Sequence, residues 1–117
     1  MHELAIANSL FQAVQTEAQR HPGMRVGRVG LRIGELSGVD PEALRFSFDA
    51  IVKETPFDPL PLEIELCPRR HCCPGCGHTF PVREPDYASD CPRCGGKQTE
   101  CVSGTELEFS YLELEEP

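Results

Sequence analysis

Apolar residues at positions 4, 7, 10, 11, 14 and 18 (Leu4, Ala7, Leu10, Phe11, Val14, Ala18) recur at helical spacing and predict an amphipathic helix over residues 3–20. Gln12, Gln15, Glu17, Gln19 and Arg20 fill its polar side, and His21-Pro22-Gly23 stops it. Residues 24–33 read as a strand. Val29, Leu31 and Ile33 alternate cleanly, whereas Met24 and Val26 fall on the opposite parity, which predicts a bulge near Gly27 or Gly30. After a loop over 34–38, Asp40 is a good N-cap and Pro41 suits the first helical position. The second helix buries Leu44, Phe48, Ile51 and Val52 and ends at Thr55-Pro56. Leu60, Leu62, Ile64 and Leu66 then alternate with Pro61, Glu63 and Glu65, the pattern of a half-buried strand. Beyond Gly104 a last strand carries Leu107, Phe109 and Tyr111 on one parity and Leu112 and Leu114 on the other.

The periodicity breaks at Cys67. Residues 67–102 hold all seven cysteines and five prolines, with almost no regular apolar pattern. So short a segment cannot build a core unaided, and a metal would replace one. A lone final strand needs a sheet to join, and the simplest solution returns it to the N-terminal one. The expected fold is therefore α+β: a small sheet with two helices, plus an inserted zinc-ribbon-like four-cysteine module. The expected domains are residues 1–66 completed by the strand in 103–117, and an inserted domain over 67–102.

Four of the cysteines form two Cys-Pro-x-Cys-Gly half-sites, Cys73-Pro74-Gly75-Cys76-Gly77 and Cys91-Pro92-Arg93-Cys94-Gly95, with 14 residues between Cys76 and Cys91. Proline fixes φ at the start of a tight turn, and glycine after the second cysteine permits positive φ. This spacing predicts zinc held by Cys73, Cys76, Cys91 and Cys94. Four thiolates close a tetrahedral shell with no open position for water, so the site is expected to be structural and the chain not an enzyme. Cys67, Cys72 and Cys101 are read as unligated thiols, and His78 as a turn residue or a donor behind the ligands.

The odd cysteine count, the paired spacing and an N-terminus without an apolar secretory segment point to a reducing, cytoplasmic setting. No apolar run is long enough to span a bilayer. The formal charge of −8 becomes about −10 with four thiolates and one Zn(II). Phosphate backbones and anionic lipid repel such a chain, which argues against nucleic acid or membrane as partners. A zinc-ribbon nucleic-acid or protein-interaction module, the alternative reading of the two knuckles, would be expected to carry a basic face.

The first residues offer a second metal chemistry. The amine of Met1, the backbone nitrogen of His2 and the His2 Nδ1 can close adjoining five- and six-membered chelate rings. Three nitrogens then lie nearly in a plane, as Ni(II) or Cu(II) prefers. The backbone nitrogen of Glu3 or a side chain from elsewhere would be the fourth donor. The first N–H groups of a helix have no intrahelical partner, so recruiting them breaks no structure.

The opening Met-His-Glu-Leu-x-Ile-Ala, the run from Ile33-Gly34-Glu35-Leu36-Ser37-Gly38-Val39-Asp40 through Pro41-Glu42-Ala43-Leu44-Arg45-Phe46, the two Cys-x-x-Cys pairs and Gly104-Thr105-Glu106-Leu107 together resemble the HypA/HybF family of nickel metallochaperones. The resemblance covers essentially the whole chain. It implies a nickel-binding domain and a zinc domain, with nickel delivered for [NiFe]-hydrogenase maturation. It further implies nickel ligation centred on the Met1 amine and His2, with Glu3 and Asp40 involved. The implied partners are a HypB-type GTPase and the hydrogenase large subunit or its maturation complex. A homodimer is a candidate assembly, and some members serve urease. The doublet Cys72-Cys73 and the extra Cys67 and Cys101 depart from the family pattern.

Overall fold

A computed structural model describes residues 3–83 and 87–117. In chain order the elements are helix α1 (Glu3–Gln19), strand β1 (Arg25–Gly34), helix α2 (Pro41–Val52) and strands β2 (Leu62–Cys67), β3 (Arg70–Cys72), β4 (Thr79–Pro81), β5 (Glu100–Ser103) and β6 (Leu107–Glu115). Two three-stranded sheets form, in the orders β2-β1-β6 and β4-β3-β5. The final strand thus returns to β1, as the unpaired backbone of a lone strand requires.

The contacts divide the chain into two compact units. The first comprises Met1–Arg32, Gly38–Glu65 and Glu108–Pro117, and the second Ile33–Ser37 and Leu66–Leu107. In the first unit α1 packs on α2. Ala7, Leu10, Phe11 and Val14 of α1 and Leu44, Phe48 and Val52 of α2 are buried. The Phe11 ring meets Phe48 edge-on at 6.3 Å and Phe57 at 5.5 Å, contacts worth about 0.5–1.5 kcal/mol each beyond area burial. Asp40 caps α2 by accepting from the N–H groups of Glu42 and Ala43 through Oδ1, at 3.0 and 3.4 Å, and Pro41 opens the helix.

The strands depart from simple alternation in three places. Val26 and Val29 are three residues apart yet both buried, with Arg28 between them exposed, so parity shifts at Gly27–Arg28. In β2 the alternation predicted Leu66 inward. Instead Leu66 is exposed and Cys67 buried, and the Cys67 carbonyl accepts from the Glu35 N–H at 2.9 Å as the chain enters the second unit. In β6, Tyr111 does not follow Phe109. Its ring lies against Gly30, at a spot where a Cβ on that glycine would overlap it. Phe109, Leu112 and Leu114 share the face toward α1.

The opposite face of this sheet is a charge ladder. Arg28 pairs with Glu63 at 3.1 Å, Arg32 with Glu65 at 3.5 Å and Glu108 at 2.6 Å, and Arg25 with Glu115. Such exposed pairs contribute roughly 0–1 kcal/mol each. Their main effect is to set register and keep this face wet.

The second unit contains three short strands that carry no periodic apolar signal. Antiparallel pairing sets Arg70, His71 and Cys72 against Pro81, Phe80 and Thr79, and sets His71 and Cys72 against Cys101 and Glu100. Its buried cluster is Cys73, Phe80, Val82 and Cys91.

Candidate metal centre

Each cysteine pair sits on a tight turn, and the two turns repeat one another. In the first, Cys73 N–H donates to the His78 carbonyl at 2.9 Å and Gly77 N–H to the Cys73 carbonyl at 2.7 Å. In the second, Cys91 N–H donates to the Gly96 carbonyl and Gly95 N–H to the Cys91 carbonyl, both at 2.8 Å. Gly77 and Gly95 have φ of +77° and +76°, the left-handed conformation that a side chain resists. In each turn the first cysteine is buried and the second exposed.

The four sulfurs Cys73, Cys76, Cys91 and Cys94 lie within 4.8 Å of one another. Cys73 Sγ is 3.5 Å from Cys94 Sγ, and Cys76 Sγ is 3.6 Å from Cys91 Sγ. A tetrahedral zinc at about 2.3 Å from each sulfur needs S···S edges of about 3.8 Å. The donor set and its spacing therefore fit that ion. Gly96 supports the fit from behind, because a Cβ there would sit 3.2 Å from Cys73 Sγ and 3.4 Å from Cys94 Sγ. Among the described residues this is the one group of metal-ligating side chains with such spacing.

Electrostatics at the sulfurs come from backbone donors and from the sulfurs themselves. Desolvation opposes a thiolate at Cys91, but the N–H groups of Cys94 and Arg93 and the thiols of Cys76 and Cys94 outweigh it, and its pKa falls to about 7. The Gly96 N–H favours a thiolate at Cys94, yet the thiols of Cys73, Cys91 and Cys76 push its pKa up to about 12. The His78 N–H acts the same way on Cys76, where desolvation and the Cys91 and Cys73 thiols win and raise the pKa. Four sulfurs this close cannot all ionise without a cation among them, so metal entry must expel protons.

The remaining cysteines stand apart from the four. Cys67 is buried, Cys72 Sγ points to the Cys73 carbonyl at 3.9 Å, and the exposed Cys101 Sγ points to the Ser103 carbonyl at 3.3 Å. His78 stacks on Phe80, 6.1 Å between ring centroids.

His71 has a structural role that sequence reasoning missed. It is buried, its Nε2 accepts from Arg69 Nε at 3.3 Å, and its Nδ1 lies 3.0 Å from Thr99 Oγ1. Thr99 Oγ1 in turn donates to the Ser89 carbonyl at 2.6 Å. With Nε2 accepting, the proton sits on Nδ1, which donates to Thr99. Burial and the Arg69 charge lower the His71 pKa and hold the ring neutral. Arg69 is only two residues from His71, but Thr99, which directly precedes β5, reaches the ring through the pairing of β3 with β5, and nothing local in the sequence announced that contact.

In the first unit the Asp40 N–H donates to Glu3 Oε2 at 3.3 Å, which brings together two residues 37 positions apart. The start of α1 thereby lies beside the start of α2. Met1 and His2, the other two predicted nickel ligands, lie outside the described residues.

A family model described as "Hydrogenase/urease nickel incorporation, metallochaperone, hypA" matches residues 1–114. The chain belongs to the HypA family. It is similar to the hydrogenase maturation factor HypA of Geobacter metallireducens, with 42% identity over 98% of this chain and 100% of the relative. It is likewise similar to that of Albidiferax ferrireducens, with 37% identity at the same coverage. A solution structure of a HypA protein superposes with a TM-score of 0.72 and 26% identity, covering 97% of this chain and 96% of that one. The solution structure of the nickel metallochaperone HypA from Helicobacter pylori gives 0.64 and 25% over the full length of both chains. The α+β fold with a four-cysteine metal-binding group is thus the HypA fold. The family's role is nickel incorporation for hydrogenase or urease. Among the described residues no helix is long and apolar enough to cross a membrane.

Proposed function

We propose that this HypA-family chain carries one Ni(II) at its N-terminus and hands it on for [NiFe]-hydrogenase maturation in the cytoplasm, while Zn(II) on Cys73, Cys76, Cys91 and Cys94 holds the second unit folded. The observation that carries the nickel reading is the Glu3–Asp40 hydrogen bond. It brings Glu3 and Asp40, the two predicted carboxylate residues, together at the start of α1, and the Met1 amine and the His2 nitrogens would supply the planar donors that Ni(II) favours. The α1 surface that follows is uncharged: Leu4, Ala5, Asn8, Ser9 and Gln12 are all exposed. A face depleted of charge suits the core of a protein interface. We assign it to a HypB-type GTPase or to the hydrogenase large subunit with its maturation complex.

Bound zinc supplies a cross-link among four thiolates and no reactive position. The chain's own residues do the rest. The knuckle N–H groups stabilise the thiolates, and Gly77 and Gly95 close the turns. Cargo transfer is expected at the N-terminus, because its donors can be released one at a time, whereas opening the zinc shell would unfold the module.

The test is isothermal nickel titration of tag-free, zinc-loaded protein against His2→Ala. One tight site in the wild type, weakened by about 100-fold or more in the variant with an unchanged circular dichroism spectrum, is expected for loss of an anchoring ligand. Equal affinity in the two proteins would remove His2 from the site.

A further inference from the structure

The two edges of the β2-β1-β6 sheet are built differently. Strand β2 has six residues, with Pro61 immediately before it and Pro68 immediately after, so its edge is short and bracketed by residues that cannot donate a hydrogen bond. Strand β6 has nine residues and contains neither proline nor lysine. Among the described residues no strand pairs with its outer edge. A long edge without such gatekeepers is a template for another strand.

The space beside that edge is equally unfinished. Phe109, Leu112 and Leu114 point toward α1 but are only half-buried. With Ala13, Thr16, Glu17 and His21 of α1 they line a groove of about 520 Å³, within the ordinary range of about 300–1,000 Å³ for ligand pockets. Ala13 and Thr16 are too small to close it. A strand added to β6 would place alternate side chains in this groove, where they would complete the burial that α1 leaves undone.

Charge selects the occupant. On the other face β6 carries Glu108, Glu113 and Glu115, followed by Glu116. Two of the three β1 arginines, Arg28 and Arg32, also pair with Glu63 and Glu65, so carboxylates outnumber the arginines on this face. A second copy pairing antiparallel through β6 would set glutamates across from glutamates, on two chains of charge −8 each. We propose that the β6 edge and the groove between β6 and α1 take an extended segment of a different protein, with apolar residues on its inward parity and lysine or arginine on its outward parity. This is strand addition: main-chain hydrogen bonds give affinity, and alternate side chains give selectivity. The site involves none of the metal-ligand candidates, so it stands or falls apart from the nickel reading.

The test uses the zinc-loaded full chain, ¹⁵N-labelled, and a capped peptide of alternating lysine and valine matched to the nine residues of β6. Controls are a peptide of the same composition with the valines in one block, and one alternating glutamate and valine. The alternating lysine peptide should shift the amides of residues 107–115 and 13–21. It should bind at least about tenfold more tightly than either control, the scale of one lost interface anchor. Thr16→Trp, at an exposed α1 position, fills the groove and should weaken binding about tenfold while leaving circular dichroism unchanged. Glu113→Lys should weaken it at low salt and less at high salt. Equal binding of the block peptide, shifts confined to the β2 or β5 edge, or indifference to Thr16→Trp would overturn the proposal. So would a dimer of the protein alone, seen in sedimentation and abolished by Thr16→Trp.

Discussion

Stripping the metal should unfold the second unit and leave the first standing. The buried cluster of the second unit is Cys73, Phe80, Val82 and Cys91, of which two belong to the four-cysteine group. Of that cluster only Phe80 and Val82 remain as ordinary core, at 4% and 1% exposure. Burying each is worth about 1.5–3 kcal/mol, so the pair supplies about 3–6 kcal/mol. A structural zinc contributes about 10–16 kcal/mol in small zinc modules near neutral pH. The metal therefore outweighs those two side chains by a factor of about 1.7 to 5, and strands of three to four residues cannot hold themselves together without it. The first unit has Phe11, Val14, Val29, Leu44, Phe48 and Val52 at 9% exposure or less, and none depends on a sulfur ligand. The assay is amide hydrogen exchange on reduced protein before and after a chelator, with zinc added back. Amides of β3, β4 and β5 should lose protection and regain it, while those of α1 and α2 hold. Retained protection in β3–β5 of the metal-free protein, or joint collapse of α2, would refute the reasoning.

Three further outcomes follow from particular contacts. Gly30→Ala should cost about 1–3 kcal/mol by displacing the Tyr111 ring, and the cost should fall below about 1 kcal/mol in the background Tyr111→Ala. A urea-denaturation double-mutant cycle without coupling would show that the ring does not cover that glycine. Asp40→Ala should lose about 1 kcal/mol with the cap. Asp40→Asn keeps a capping oxygen, so it should hold thermal stability and lower nickel affinity alone, and unchanged affinity would leave Asp40 a cap and nothing more. Zinc affinity should fall as pH drops from 8 to 5. Cys94, pushed up to about 12, and the raised Cys76 hold protons in the metal-free cluster at any of these pH values, and even Cys91 at about 7 regains one on acidification. Competition with a zinc-responsive dye would read the change, and a flat profile would count against thiolate ligation.

What was legible in the sequence was local. The α1 and α2 stripes, the Asp40-Pro41 start and the Cys-Pro-x-Cys-Gly turns each complete their signal within a few residues, and Gly77 and Gly95 adopt the positive φ that those turns demand. What could not be read depends on partners far along the chain. Tyr111 breaks parity because Gly30, 81 positions earlier, leaves room for its ring. Strands β3 to β5 have no apolar period, because two turns that position four sulfurs do the work a core does elsewhere. The same division runs through the candidate nickel site. Its nitrogens are adjacent in sequence, and the chelate can be drawn from the first three residues alone. Asp40, 37 positions along the chain from Glu3, comes to it only through the hydrogen bond from the Asp40 N–H to Glu3 Oε2. That link joins two helix starts, each with backbone donors to satisfy. Asp40 therefore already serves the fold as a cap, and Glu3 already accepts the Asp40 N–H. A nickel ion arriving there would compete with hydrogen bonds that stabilise both helices, so a hold on nickel that draws on these carboxylates is weaker than the donor count suggests. A carrier that must release its cargo requires that weakness.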